Sequence, residues 1–404
     1  MHLKYFLPVC LMCCALAGVA VGAGAPIVIM LSWDGMRHDY PDRGSFPALE
    51  RMMRDGLRAE RLVPVYPSNT FPGHVSIATG TWPDTHGIVD NHFLDRDRGQ
   101  YRYESDANWL LAEPLWIAAE RQGVPVATYF WVGSESDWRG QGTTYRMAPF
   151  DGERPESEKV DKILSWLDLP EGERPRLIMS YWAGADSTAH RYGPEAREVA
   201  EQIADQDAQL ERLITGIDKR DLWARTTLII VSDHGMTETG GYIDVRAALE
   251  DAGIDARVVG STLAHVFVED LRRRERVRDV LAGIDGVTVL DEAFLKRHGL
   301  AIPERNGDIV IAAQPPDRFS RPGGAAGAYL RARLAMGASI GGHGYRPELE
   351  DMGGIFLAYA RGVKRGARIG AVRQVDVAAT VAKLLAIEPP LASEGIPITL
   401  NGER

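Results

Sequence analysis

The sequence predicts an α/β fold: a mostly parallel sheet flanked by helices, with a small inserted cap. Three observations carry that prediction. Short apolar, β-branched runs recur along the chain, such as Ile27-Val28-Ile29-Met30-Leu31 and Thr227-Leu228-Ile229-Ile230-Val231. Segments of helical pattern separate them. The runs are apolar on both faces, as strands covered by helices on each side must be.

In chain order, this pattern places strands at 26–32, 124–130, 176–182, 226–232, 263–268, 308–313 and 355–359. Helices are expected at 46–56, 113–122, 157–168, 194–216, 271–283 and 375–386. The clearest is 194–216: Pro194 suits a first helical turn, and Val199, Ile203, Leu210, Leu213 and Ile214 form one apolar stripe for the core. Residues 95–108 are polar and aromatic and read as an exposed loop. Residues 237–335 are rich in Arg and end in Gly323-Gly324-Ala325-Ala326-Gly327. They read as the inserted cap, with the Gly-rich piece a mobile loop, leaving 23–236 and 336–404 as the main catalytic domain. The run Leu271-Arg272-Arg273-Arg274-Glu275-Arg276 reads as a solvated helix face rather than a nucleic-acid patch.

Composition narrows the function. The chain has 404 residues, a size that exceeds one ordinary core. Residues 1–22 resemble a secretory signal: Lys4, an apolar stretch from Tyr5 to Ala17, and the small-residue site Ala20-Val21-Gly22. A periplasmic or secreted location follows, with no membrane span in the mature chain; the alternatives are a membrane or lipid anchor. All three cysteines, Cys10, Cys13 and Cys14, fall in that segment. The mature chain therefore has no thiolate, and any metal must be held by His and carboxylate, which suits zinc or manganese. Removing the segment takes away Lys4 and no acid, so the net charge goes from −10 to −11. That balance argues against long nucleic acids as partners but not against small anions held by a metal.

The candidate functional residues sit where apolar runs end. In open α/β sheets, sites form at the carboxyl ends of strands. Asp34 and Asp233 each follow an expected strand, although Asp there also starts turns and caps helices. Ser232-Asp233-His234-Gly235-Met236 sets a carboxylate beside an imidazole. Asp186 and His190 lie four apart, on one face if the segment is helical; an N-cap Asp with a surface His is the other reading. His343 has glycine on both sides and could be a loop-borne ligand or an ordinary loop His. Thr70, between Pro67 and Pro72, reads as a nucleophile on a tight turn if a metal is near, and as a plain turn residue if none is. His74 and His86 read as structural hydrogen-bonding residues.

Taken together, the order of Asp34, Tyr66-Pro-Ser-Asn-Thr-Phe-Pro-Gly-His74, Thr79-Gly80-x-x-Pro83-x-x-His86-Gly87-Ile88, Asn91, Asp186-x-x-x-His190, Ser232-Asp-His-Gly-Met236 and Gly342-His-Gly344 resembles the nucleotide pyrophosphatase/phosphodiesterase family of the alkaline phosphatase superfamily. The resemblance covers nearly all of the mature chain. It implies an alkaline-phosphatase-like core and two zinc ions. One would be held by Asp34, Thr70, Asp233 and His234, the other by Asp186, His190 and His343. Thr70 would attack phosphorus and become a covalent phospho-threonine, with Asn91 donating to a phosphate oxygen. Phe71 and Tyr181 match aromatic positions that sandwich a nucleobase, and Trp131 would border that pocket; the other reading is that Trp131 and Tyr181 merely fill the core. The implied reaction is hydrolysis of nucleotide phosphodiester or pyrophosphate bonds, releasing nucleoside 5′-monophosphates from small-molecule substrates.

The sequence departs from the family at Trp131-Val132-Gly133-Ser134 and at Tyr181-Trp182-Ala183-Gly184-Ala185-Asp186. Those changes leave open which base or leaving group is preferred. A phosphodiesterase for choline-containing lipids is one alternative, because aromatic walls also hold quaternary ammonium. A non-catalytic binding protein on the same fold is another. Phosphomonoesterase and sulfatase readings are disfavoured by the context around Thr70.

Overall fold

The computed structural model describes residues 24–319 and 324–401. The expected signal segment, 1–22, lies outside them. At the centre is an eight-stranded sheet in the order Ala367–Ile369, Leu57–Ala59, Phe356–Ala360, Thr226–Val231, Ile27–Trp33, Leu177–Trp182, Val126–Tyr129, Tyr145–Met147. Phe356–Ala360 runs against its neighbours and every other strand runs the same way.

The middle strand shows why the apolar runs are unbroken. Side chains alternate between faces along a strand. Val28 and Met30 enter one core, while Ile27, Ile29, Leu31 and Trp33 enter the other. Helices Thr70–Thr79, Leu115–Arg121 and Asp376–Leu385 cover the first face. Pro47–Asp55, Glu156–Leu167 and Arg197–Lys219 cover the second. Asp207, buried on the longest helix, accepts from the first-turn amides of Ala48 and Leu49 at 3.0 and 2.8 Å. A carboxylate at a helix N-terminus satisfies otherwise unpaired N–H groups and so locks these two helices together.

A separate four-stranded antiparallel sheet, in the order Ala256–Gly260, Leu263–Val268, Ile309–Ala313, Val287–Leu290, packs on helices Val245–Asp251 and Arg274–Ala282. Its core, including Val258, Val266 and Ile311, is distinct from the two cores of the large sheet. Just before this region Thr237–Glu238 pairs with Gly341–Gly342, so the chain returns close to where it left.

Several expectations are corrected. The strand expected at 355–359 is present but antiparallel. Those at 263–268 and 308–313 belong to the small sheet. The long helix starts at Arg197, after Pro194 rather than with it. Residues 95–108 are not a loop throughout: His92–Asp95 and Gly99–Arg102 form a hairpin whose Tyr101 is buried among Phe93 and Trp109. The expected mobile loop is also wrong over its described part, because Gly324–Ala335 is a helix. The Arg-rich run does form a helix face; Arg273 and Arg276 also donate to the carbonyls of Gly253 and Ala252.

Candidate active site and metal centre

Three adjacent parallel strands end side by side: Leu177–Trp182, Ile27–Trp33 and Thr226–Val231. Just past their carboxyl ends come Asp186, Asp34 and Asp233. Glycine allows the first two turns to touch. Gly184, at φ +61°, has no room for a Cβ against the Asp34 backbone. Gly35, at φ +63°, would drive a Cβ to 2.9 Å from the Asp186 Cα. Asp186–Tyr192 is helical, so Asp186 and His190 share a face, their side chains 3.3 Å apart.

Two groups of side chains result. Asp34, Asp233 and His234 have ligand atoms all within 4.8 Å of one another; so do Asp186, His234 and His343. His190 joins the second group, its Nε2 3.1 Å from Nε2 of His343. Thr70 places its hydroxyl 3.3 Å from His234 Nε2. The tight turn expected around Thr70 is instead the first turn of helix Thr70–Thr79, whose positive end faces the cluster. All seven expected ligands therefore converge.

Their hydrogen bonds point to a cation. A carbonyl oxygen only accepts, so a ring nitrogen beside one must carry the proton. His190 Nδ1 faces Gly341 O at 2.9 Å, His234 Nδ1 faces Gly235 O at 2.8 Å, and His343 Nδ1 faces Ser68 O at 3.0 Å. Each neutral ring therefore turns a bare Nε2 inward, the arrangement that orients metal-binding imidazoles. The close Nε2 pair of His190 and His343 then has two lone pairs facing each other. Buried oxygens Asp34 Oδ1, Asp186 Oδ1 and Asp233 Oδ2 have no hydrogen-bond partner.

Charge crowding says the same. Burial, then the charges of Asp233 and Asp186, pushes the Asp34 carboxyl well above the usual range. Divalent cations relieve this crowding, so the residues fit a metal centre of hard carboxylate and imidazole donors.

The surroundings fix this geometry. Tyr181 donates its hydroxyl to Asp34 Oδ2 at 2.8 Å. Gln374 donates to the carbonyl of Asp233 at 2.6 Å and accepts from Val65 N at 2.9 Å, tying the Asp233 loop to the segment before Thr70. Asn91 Oδ1 accepts from Phe71 N at 2.8 Å, and its Nδ2 donates to the Tyr103 hydroxyl at 3.4 Å. Asp90, behind it, accepts from Asn69 Nδ2 and Asn91 N at 2.7 and 2.6 Å. His74 is buried between Ser32 Oγ, 2.7 Å away, and the Thr70 carbonyl, 2.8 Å away. His86 is buried against Ser76. Both are buried and hydrogen-bonded to neighbouring serines.

The aromatic residues divide. Phe71 is half-buried and meets Tyr103 edge-on at 5.0 Å. Tyr181 lies beside His74 and, at 5.8 Å, beside Phe150. Trp131 is wholly buried, with Nε1 donating to the His74 carbonyl, so it offers no surface to a ligand. Phe150, 49% accessible, is an exposed ring beside Tyr181 that sequence reasoning missed, as Tyr103, 51% accessible, is beside Phe71. No spacing signal marks Phe150, nor Gln374.

A profile of the family described as type I phosphodiesterase / nucleotide pyrophosphatase matches residues 28–344. The chain is 28% identical over 391 residues to bovine (Bos taurus) ectonucleotide pyrophosphatase/phosphodiesterase family member 3, covering 91% of this chain and 43% of that protein. It is 38% identical over 219 residues to an uncharacterized pyrophosphatase/phosphodiesterase of Schizosaccharomyces pombe, covering 52% and 45%. The chain thus spans less than half the length of these curated relatives. Among solved structures, murine ectonucleotide pyrophosphatase / phosphodiesterase 5, as an inactive variant in complex with AMP, superposes with a TM-score of 0.82 at 24% identity, covering 92% of this chain and 97% of that one. Its overall arrangement and the stretch matched by the profile, which is most of its length, agree: the chain belongs to the type I phosphodiesterase / nucleotide pyrophosphatase family.

Proposed function

We propose that this protein is a hydrolase of nucleotide phosphodiester and pyrophosphate bonds that releases nucleoside 5′-monophosphates by way of Thr70. The observation that carries the reading is the convergence of three bare imidazole Nε2 atoms and three unpartnered carboxylate oxygens beside one helix-terminal hydroxyl. Family membership and the AMP named with the murine relative support a nucleotide substrate.

Two zinc ions are the cofactors we assign: one to Asp34, Thr70, Asp233 and His234, the other to Asp186, His190 and His343. Bound there, they would supply Lewis acidity to the phosphoryl oxygens and lower the pKa of the Thr70 hydroxyl and of water. Thr70 Oγ1 gives up its proton to solvent and forms a bond to phosphorus as the bond to the leaving oxygen breaks in line; the leaving group departs with the electron pair. Water then cleaves the Oγ1–phosphorus bond, freeing the monophosphate and returning the proton to Thr70. Asn91 donates an N–H to a non-bridging oxygen as charge builds on it. Phe71, Phe150 and Tyr181 line the wall for the base. Residues 1–22 as a signal, with a periplasmic or secreted product, and 237–335 as an inserted cap belong to the same reading. Among the described residues no helix is long and apolar enough to cross a membrane.

Rapid acid quenching with a nucleotide ester, followed by peptide mass spectrometry, tests the mechanism. A nucleoside-phosphate adduct on the Thr70 peptide is expected. Turnover with no adduct, and full activity in Thr70→Ala, would overturn it.

A further inference from the structure

A cavity of about 520 Å³ opens next to the metal-binding cluster, between the Gly99–Arg102 edge of the hairpin and strand Ala256–Gly260 of the small sheet. Its chemistry is unlike the rest of the molecule. The chain carries a net −10, yet Arg102, Arg246, Arg257 and Arg318 all line this one space. Asp90 is the one carboxylate among the described lining residues, and it is turned to Asn69 and Asn91. Arg102, Arg257 and Arg318 make no ion pair with a carboxylate among the described residues, although such pairs are frequent elsewhere in the protein. Arg318 keeps a buried Nε without a hydrogen-bond partner. Arg246 is positioned by donating to the Val258 carbonyl at 2.8 Å. Arg102, Arg246 and Arg257 are exposed, so their charge is open to an anion entering the space, and the guanidinium fork suits phosphate oxygens.

The position of the cavity says which part of a substrate meets it. His190 and His343 line it; His234, beside the Thr70 hydroxyl, and the Asp34 and Asp233 grouped with it do not. An in-line displacement sends the leaving group away from the attacking oxygen, and hence from the Thr70 side toward the His190 and His343 side.

We propose that this arginine chamber is the leaving-group subsite and selects substrates whose leaving group carries two or more phosphates. The idea rests on the phosphodiesterase reading above and adds to it a preference for anhydrides with a polyphosphate leaving group over esters with an uncharged one. Two of the four arginines, Arg246 and Arg257, come from the region read as the inserted cap, which makes that region a specificity element.

The test compares kcat/KM for three substrates of one nucleoside: the 5′-p-nitrophenyl phosphate ester, the diphosphate and the triphosphate. The zinc-loaded native protein and the variant Arg102→Ala/Arg257→Ala are both measured. Both side chains are exposed, and a thermal unfolding scan checks that the variant folds. The native protein should rise along the series, and the variant should lower the triphosphate-to-ester ratio by at least tenfold, with Arg257→Lys falling between. Added salt should depress the triphosphate value more steeply than the ester value. A flat native series, or an unchanged ratio in the variant, overturns the chamber assignment while leaving the phosphodiesterase reading intact. Failure of the native protein to cleave any of the three overturns the phosphodiesterase reading itself.

Discussion

The large sheet and the small sheet meet at one cleft and bring opposite chemistry to it. The large sheet offers carboxylates and imidazoles at strand ends, buried and held by backbone carbonyls. The small sheet offers exposed arginines on an edge strand and its flanking helix. A group that makes and breaks bonds must be held within tenths of an ångström, so its supports are buried and numerous. A group that attracts charge works over a longer range and tolerates a mobile, solvated side chain. The division suggests that reactivity and selectivity can be altered independently, and the expected outcomes below test that separation.

The largest effect should fall on the large sheet. Thr70→Ala should lower turnover by roughly 1,000-fold or more for every substrate, equivalent to at least about 4 kcal/mol of barrier, while metal content by elemental analysis stays at the native level. Loss confined to polyphosphate substrates would place Thr70 on the selective side of the cleft and break the contrast.

Next comes acid stability, where the two sheets carry comparable devices. Burial lowers the imidazole of His265, in the small sheet, to about 4. Burial, with Arg305, lowers His86 beside the large sheet to about 3. A histidine whose folded pKa lies below its unfolded one binds fewer protons when folded. Stability therefore grows as pH rises from the folded toward the unfolded value of about 6.5, and is lost as pH falls through that window. For His265 the full difference is about 3 kcal/mol. His265→Leu should flatten the stability profile between pH 4 and 6.5, read by urea unfolding. It also removes the acceptor that Gly307 N uses at 3.2 Å, but that loss shifts the whole profile without changing its slope. An unchanged slope would mean the small sheet opens before His265 titrates.

Metal removal should act on the other side. Chelation should abolish turnover and lower the melting temperature. Restoring zinc to about 100 times its Kd should return about 2.7 kcal/mol. Equal melting temperatures with and without metal would contradict a cluster strained by like charge.

The smallest effect is expected at the aromatic wall. Phe150→Ala should weaken nucleotide esters by roughly 1–3 kcal/mol in kcat/KM, and bis(p-nitrophenyl) phosphate by less. Tyr181→Ala should show the same bias. Because Tyr181 also holds Asp34, Tyr181→Phe separates the two roles: it keeps the ring and removes the hydroxyl that donates to the carboxylate. Identical losses on both substrates in Phe150→Ala would remove that ring from base binding.

Much of the large sheet was readable from the chain because its strands are apolar on both faces and the candidate ligands follow them closely. Asp34 and Asp233 announce themselves by ending such runs, and Asp186 and His190 by a helical step. What escaped is side chains whose role arises only from tertiary placement. Phe150 follows a proline in an irregular stretch, Gln374 is one polar residue before a helix, and Arg257 is one arginine among many. The direction of Phe356–Ala360 was hidden because an apolar run carries no sign of which way it is paired. Trp131 was misplaced because a motif position gives neighbourhood, not exposure. The helix at Thr70 was hidden by Pro72 and Gly73, which suit a first turn as well as a loop.

One small ribbon has a consequence for how this architecture can vary. Thr237–Glu238 and Gly341–Gly342 clasp the two ends of the region between them, and His343 is the very next residue. The His343 imidazole is thus tethered to the clasp, not to the intervening hundred or so positions. Lengthening or shortening that stretch leaves the ligand in place as long as the clasp stays in register, whereas a one-residue slip there would carry His343 out of reach of Asp186.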